Sequence, residues 1–303
     1  MDGSRFPDLV KAGSRTGSTP SRRYRVLASI RRYRPTVDTK RKLLVFDVDG
    51  TLLTSSHTIL PSTKRALAKV AEDGHHIVLA TARPPRSVVD IANRLGIDST
   101  IAIALNGAII VTGNKILWEM PMNREASNTV IEEARRRSLH ANLMAGWEWF
   151  VEASSKWSEQ EAAIVNFEPR MVEDLLGDSM PDAHKVLIMG EAEEIAAYRQ
   201  WIDSRDLPLY VSFSKPTYCE IVSQGVSKGR AVKQVAQLLQ VSLEDLIAFG
   251  DGENDSEIVA MAGVGVAMGN AMPQVMEVAD LVTKSNDEDG IYHALRKIGL
   301  VEY

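Results

Sequence analysis

From Lys42 onward the chain alternates short, unbroken apolar runs with longer segments whose apolar residues recur every three or four positions. Unbroken runs suit strands covered on both faces, and the wider spacing suits helices packed on them. "KLLVFD" (42–47), "HHIVLAT" (75–81) and "TIAIALNG" (100–107) predict three buried strands. Between them, "PSTKRALAKVAEDG" (61–74) and "PPRSVVDIANRLG" (84–96) predict helices, with Pro61 near one start and Gly74 and Gly96 past the ends. A βαβαβ order implies parallel strands joined by right-handed crossovers.

The pattern then changes. "AIIVTGNKILWEM" (108–120) reads as a hairpin around Gly113 and Asn114, and residues 121–215 mix charged helices with isolated strands such as "KVLIMG". The first style returns in "SKGRAVKQVAQLLQ" (227–240), a helix with Ser227 as N-cap, and in "DLIAFGD" (245–251), a buried strand. "ENDSEIVAMAG" (253–263) predicts a further helix, "GVAMGN" and "DLVTKS" short strands, and "EDGIYHALRKIG" (288–299) a closing helix. The expected fold class is α/β: a doubly wound, mostly parallel Rossmann-like core with an inserted α+β cap. The expected boundaries are a basic, disordered tail at 1–40, core at 41–120, cap at 121–215 and core again at 216–303, with hinges near 117–122 and 213–218.

Composition adjusts this picture in two places. The 303 residues are 45% apolar and 25% charged, the balance of a soluble globular protein, with no run long enough for a membrane span. The net charge of −5 conceals a basic tail: residues 1–40 hold ten Lys or Arg against three acidic residues, so +7 there leaves −12 for the body. An acidic body argues against nucleic-acid or membrane partners. The tail reads as a disordered extension or an overextended start, with an Arg- and Ser-rich transit peptide as the alternative. The single cysteine, Cys219, excludes an intramolecular disulfide and fits a reducing compartment, so a cytoplasmic location is expected.

Chemistry concentrates where the buried strands end. "VFDVDGT", "LAT" and "AFGDGEND" place Asp47, Asp49, Thr81, Asp251, Asn254 and Asp255 at strand carboxyl ends, where open α/β sheets form their ligand crevice. Lys228 begins a helix whose positive end can face the same crevice. Several carboxylates in one small volume call for a divalent cation, and all-oxygen ligands favour Mg²⁺ over Ca²⁺ or zinc. Carboxylates, Mg²⁺, an ammonium, a hydroxyl and helix-start amides together suit phosphoryl groups. Asp47 could then attack phosphorus, with Asp49 as general acid and base, and the Val48 amide holding a phosphate oxygen. Each piece alone has a plainer reading: a lone DxD, a strand-end Thr81, a solvated Lys228. "GVGVAMG" carries Met268 where a dinucleotide fingerprint needs glycine, so it reads as core, and His75 and His76 read as structural.

Together, "DVDGTLL", "ATARP", "GVSKG" and "GDGENDSEIVAMAGVGVAMGNA" resemble the four motifs of the haloacid dehalogenase superfamily, in particular its Cof-type sugar-phosphatase branch. The resemblance implies Asp47 as nucleophile and Mg²⁺ ligand, and Asp49 as general acid/base whose main-chain carbonyl is a second ligand. It implies Asp251 and Asp255 at the metal, and Thr81, Ala82, Lys228, Asn254 and Val48 around phosphate. It implies that the cap selects the leaving group and that Asn106, in "ALNGA", faces substrate. Ala82 departs from the usual Thr-Gly-Arg of the second motif, and a positive φ there would be strained. The expected activity is Mg²⁺-dependent hydrolysis of a small phosphorylated metabolite, a sugar phosphate, by a monomer or weak homodimer. Phosphomutase-type transfer and a catalytically weak phosphate sensor are the alternatives. Trp147, Trp149, Phe150 and Trp157 are candidates either for a sugar-facing surface or for the cap's own core.

Overall fold

The computed structural model describes residues 41–97 and 100–302, so the expectation for the tail at 1–40 lies outside the described residues. In chain order the first strands are β1 (Leu43–Asp47), β2 (His76–Ala80), β3 (Ile101–Ala104), β4 (Ile109–Thr112) and β5 (Lys115–Glu119). Then come β6 (His140–Ala145), β7 (Glu148–Val151), β8 (Arg170–Met171), β9 (Lys185–Met189), β10 (Leu209–Lys215) and β11 (Tyr218–Ser223). The last are β12 (Leu246–Gly250), β13 (Val264–Ala267) and β14 (Leu281–Val282).

These strands form two sheets among the described residues. The larger runs β14-β13-β12-β1-β2-β3-β4-β5, parallel from β14 to β3, with β4 reversed: it pairs antiparallel with β3 and, through the predicted hairpin, with β5. From β1 the chain winds outward through β2 and β3. It later returns to β12 on the other side of β1 and winds outward again. The winding direction therefore reverses at β1, the point where an open α/β sheet leaves a crevice beyond its strand ends. Every residue of β1 is buried, and Phe46 stacks on Phe249 of β12 with ring centroids 4.6 Å apart. That contact pins the ends of the two strands that carry most of the carboxylates.

The helices predicted around this sheet are α1 (Pro61–Glu72), α2 (Pro85–Leu95), α6 (Lys228–Leu239) and α9 (Gly290–Ile298), with a short α8 (Pro273–Val278) added; the inserted segment supplies α3 (Arg124–Arg136), α4 (Lys156–Val165) and α5 (Ala192–Asp203). The smaller sheet, order β10-β11-β9-β6-β7-β8, comes wholly from the insert and is mainly antiparallel. This is the doubly wound core with an inserted α/β cap that the sequence predicts.

Three details correct the sequence reading. "YCEIVS" does not rejoin the core: as β11 it lies between β10 and β9, and its Cys219 and Ile221 fill the cap's apolar cluster. Alternating side chains that face one apolar cluster bind the strand to that sheet. The smaller sheet thus closes at Ser223 rather than at 215, residues 213–218 include a hairpin turn, and the return to the core follows Ser223. "ENDSEIVAMAG" is not one helix but a 3₁₀ turn at Glu253–Asp255 followed by α7 (Ser256–Met261), because the Asp255 side chain folds back onto the loop amides. Trp149 is buried with its indole N–H donating to Asn142 Oδ1 at 3.0 Å, and Phe150 is buried in the cap cluster. Phe150 is the cap's own core, and Trp149 is buried in the larger cluster that continues into the doubly wound core, so neither forms an exposed sugar-facing surface.

Candidate active site

Asp47 is the last residue of β1, a strand paired on both sides, and itself lies opposite Ala80 of β2. Its Oδ1 accepts from Lys228 Nζ at 2.5 Å. Lys228 is the first residue of α6, entered through the Ser227 cap, and the same ammonium donates to Asp255 Oδ1 at 2.7 Å. Gly107 allows this approach: it has φ +102, and a Cβ there would lie 2.3 Å from the Ser227 carbonyl oxygen. All three charged groups are buried. Burial, with the charges of Asp255 and Asp251, pushes the Asp47 carboxyl well above its ordinary range even beside Lys228. Burial opposes the Lys228 charge, yet the Asp255 and Asp47 carboxylates win and raise its proton affinity.

Asp251 and Asp255 follow β12 in a loop built on side-chain bonds. Asp255 Oδ2 accepts the amides of Asp251 and Gly252 at 3.1 and 3.0 Å, and Asp251 Oδ1 accepts from Thr51 Oγ1 at 2.7 Å. Thr51 follows Gly50, where the chain turns sharply after β1 with φ +81. A Cβ on Gly50 would lie 2.3 Å from Asp251 Oδ2. Gly50→Ala is therefore expected to cost about 1–2 kcal/mol for the left-handed backbone and to displace Asp251. We predict roughly 10²-fold lower activity, read from kcat/KM and urea denaturation; a variant with unchanged activity would disprove this role for the glycine.

Asp49 differs from Asp47 in every respect. Its carboxylate is half-exposed and forms a fork with Arg83: Nε to Oδ2 at 2.8 Å, Nη2 to Oδ1 at 2.6 Å. Such bidentate pairing fixes both orientation and charge. Arg83 also donates from Nη1 to the Ile164 carbonyl of α4 at 2.6 Å, joining the core loop to the cap. Thr81, buried at the end of β2, accepts the Arg83 amide at 3.1 Å. Ala82 is not among the residues of positive φ, so its Cβ brings no backbone strain at the departure from Thr-Gly-Arg. Val48 is buried between the two aspartates.

Asn106 does not stand free at the crevice. It is buried at φ +58, donates to Glu220 Oε2 of β11 at 2.9 Å, and accepts from Asn254 Nδ2 at 3.1 Å. The fold thus gathers Asp47, Lys228, Asp251 and Asp255, with Thr51 on Asp251. It joins Asn106 to Asn254 and sets Asp49 on Arg83. Sequence reasoning left Arg83, Thr51, Lys185 and Glu220 unassigned. The available signals were Arg83 directly after Thr81-Ala82, and single charges inside the apolar runs "KVLIM" and "YCEIVS".

Ligand oxygens of Asp47, Asp251 and Asp255 lie within 4.8 Å of one another. Three carboxylates against one ammonium leave a deficit of positive charge, and an all-oxygen set of this kind fits a hard divalent cation. The Asp49 carboxylate stays outside the trio, on Arg83. Burial first, then the nearby Asp255 charge, raises the Asp251 carboxyl from its ordinary 3.8 to about 6 despite the Thr51 bond. A raised acid contributes stability to the metal-free fold that is full below about pH 4 and is lost as pH rises through about 6. Divalent cations bind the ionised form, so their stabilising effect is expected to grow from about pH 5 to pH 7. Thermal unfolding with Mg²⁺ or EDTA across that range checks this; a pH-independent increment would refute it.

Fold and site define a class: an α/β phosphohydrolase core with an inserted cap over the strand ends. The chain belongs to the haloacid dehalogenase-like hydrolase family, whose sequence model matches residues 44–295. Phosphatase YwpJ of Bacillus subtilis (strain 168) is 30% identical over 294 residues, covering 85% of this chain and 99% of that one. YitU of the same organism, a 5-amino-6-(5-phospho-D-ribitylamino)uracil phosphatase, is 27% identical over 272 residues, covering 86% and 98%. The crystal structure of a haloacid dehalogenase-like hydrolase from Bacteroides thetaiotaomicron superposes with a TM-score of 0.80 at 32% identity, covering 86% of this chain and 100% of that one. The protein is a phosphatase, a phosphoric monoester hydrolase. Among the described residues no helix is long and apolar enough to cross a membrane.

Proposed function

We propose that this phosphatase hydrolyses small sugar or polyol phosphates, with Mg²⁺ as its cation, through a phosphoenzyme on Asp47. The observation that carries the reading is the asymmetry of the two aspartates. Asp47 is buried, rigid and bonded to Lys228, whereas Asp49 is half-exposed at the crevice mouth on Arg83. In the first step an Asp47 carboxylate oxygen attacks phosphorus in line, and the bond to the leaving oxygen breaks as Asp49 donates its proton there. In the second, Asp49 takes a proton from water, the water oxygen bonds to phosphorus, and the Asp47–phosphorus bond breaks to release phosphate. Both Asp49 oxygens accept from Arg83 in the resting arrangement, so carrying the proton requires giving up one of these bonds.

Lys228 holds Asp47 in line and offers its charge to phosphate oxygens, as do the Thr81 hydroxyl, the Val48 and Ala82 amides and the Asn254 carboxamide. Asp47, Asp251 and Asp255 would hold Mg²⁺, together with the Asp49 carbonyl. The cation would supply charge neutralisation at the transferring phosphoryl group. The polyol reading draws on the ribityl phosphate named for YitU and on the polar side chains that the cap turns toward the core. The expected hinges of cap motion are residues 117–122 and, since 213–218 fall in a hairpin of the cap sheet, residues 224–227. A phosphomonoester panel tests the reading with residues 41–303, with and without EDTA. Hydrolysis led by sugar and polyol phosphates is expected. Turnover indifferent to EDTA, or a preference for bulky aromatic esters, would overturn it.

A further inference from the structure

Two charges sit where cap strands should be apolar. Lys185 opens β9 and Glu220 lies within β11; both are buried, with Nζ 2.6 Å from Oε2. A buried ion pair is a poor source of stability compared with apolar residues of the same volume, so its other bonds are informative. Lys185 donates to the Ala82 carbonyl at 3.1 Å, in the core loop after β2. Glu220 accepts from Asn106 Nδ2, and Asn106 Oδ1 accepts from Asn254 Nδ2.

The order of donors along this chain is forced. An ionised carboxylate only accepts, so Asn106 must turn its NH₂ toward Glu220 and its oxygen toward Asn254. Asn254 must answer with its own NH₂, which has one further hydrogen to give. The Lys185 ammonium, which can only donate, shares Glu220 Oε2 with Asn106 Nδ2, so that oxygen accepts from both and the polarity is kept. We propose that Glu220 is a positioning residue for phosphate binding: across the cap–core boundary it orients two successive carboxamides so that Asn254 presents an N–H to phosphate. This rests on the reading of Asn254 as a phosphate contact. It makes the phosphate site complete only while the cap is seated on the core.

A double-mutant cycle in the full chain tests it, with orthovanadate as the phosphate-like probe and Mg²⁺ present. Glu220→Leu is expected to raise the orthovanadate inhibition constant about tenfold, the effect of losing one charge-assisted bond. In an Asn254→Ala background the same change should have less than about a twofold effect, because the oriented group is gone. Glu220→Gln, whose amide permits either orientation, should fall between wild type and Glu220→Leu. Should Glu220→Leu misfold, Asn106→Gly carries the cycle, since glycine accepts the left-handed backbone. Losses that multiply across the cycle would overturn the coupling while leaving Asn254 as a phosphate contact. An Asn254→Ala variant with an unchanged inhibition constant would overturn the underlying reading as well.

Discussion

Asp47→Asn is expected to abolish turnover, by roughly 10⁴-fold or more, while leaving the fold intact. The amide nearly matches the carboxylate in volume, and the site it enters is short of positive charge, so removing one negative charge relieves repulsion with Asp255 and Asp251. Stability in EDTA should therefore be unchanged or higher. The chemistry has no such relief: an amide is a poor nucleophile, and the other carboxylate on Lys228, that of Asp255, is tied to the Asp251 and Gly252 amides. Steady-state assays with p-nitrophenyl phosphate and a sugar phosphate, alongside urea denaturation, separate the two effects. Activity within about tenfold of wild type would remove Asp47 from the nucleophile's role.

Lys228→Met should damage both stability and activity. The ammonium is the shared donor to Asp47 and Asp255, and its removal leaves buried carboxylates facing one another. Breaking a buried pair in this way costs about 3–5 kcal/mol, a loss expected in EDTA at about pH 8. Lower pH should shrink the loss, because the raised Asp47 and Asp251 carboxyls then take up protons instead of repelling. Saturating Mg²⁺ should also recover part of it by binding only the folded state. Turnover should remain about 10²- to 10³-fold lower even with Mg²⁺, since a fixed positive charge at the transferring group is missing. Denaturation midpoints with and without EDTA at two pH values give the check; a loss independent of both pH and Mg²⁺ would mean that Lys228 acts through packing alone.

Much of this site can be read before any fold is known, for a physical reason. Asp47, Asp49 and Gly50 are one turn of chain, and so are Asp251, Asn254 and Asp255; their chemistry is local to a strand end. A short, fully apolar run such as "LLVF" between turn signals reads as a covered strand, which puts the carboxylates that end it at the rim of the sheet. Ser227 as N-cap and Gly74 beyond a helix are equally local, and α1 and α6 begin and end near the expected positions.

Other features depend on residues distant in sequence. "YCEIVS" has the same apolar character whether it joins core or cap, and only its antiparallel partners assign it to the cap. Trp149 became core because Asn142 satisfies its indole N–H, which its own neighbours in sequence could not reveal. Arg83 meets Asp49 across 34 residues and the Ile164 carbonyl across 81, while Glu220 meets Asn106 across 114. The sequence by itself determined which strand ends carry carboxylates and a hydroxyl, and which helix start an ammonium, because burial and turn chemistry are written in adjacent residues. Tertiary structure alone decided that Asp47 belongs to Lys228, that Asp49 belongs to Arg83, and that two cap charges reach the core loops. Those pairings exist only once separate segments are packed and desolvated together.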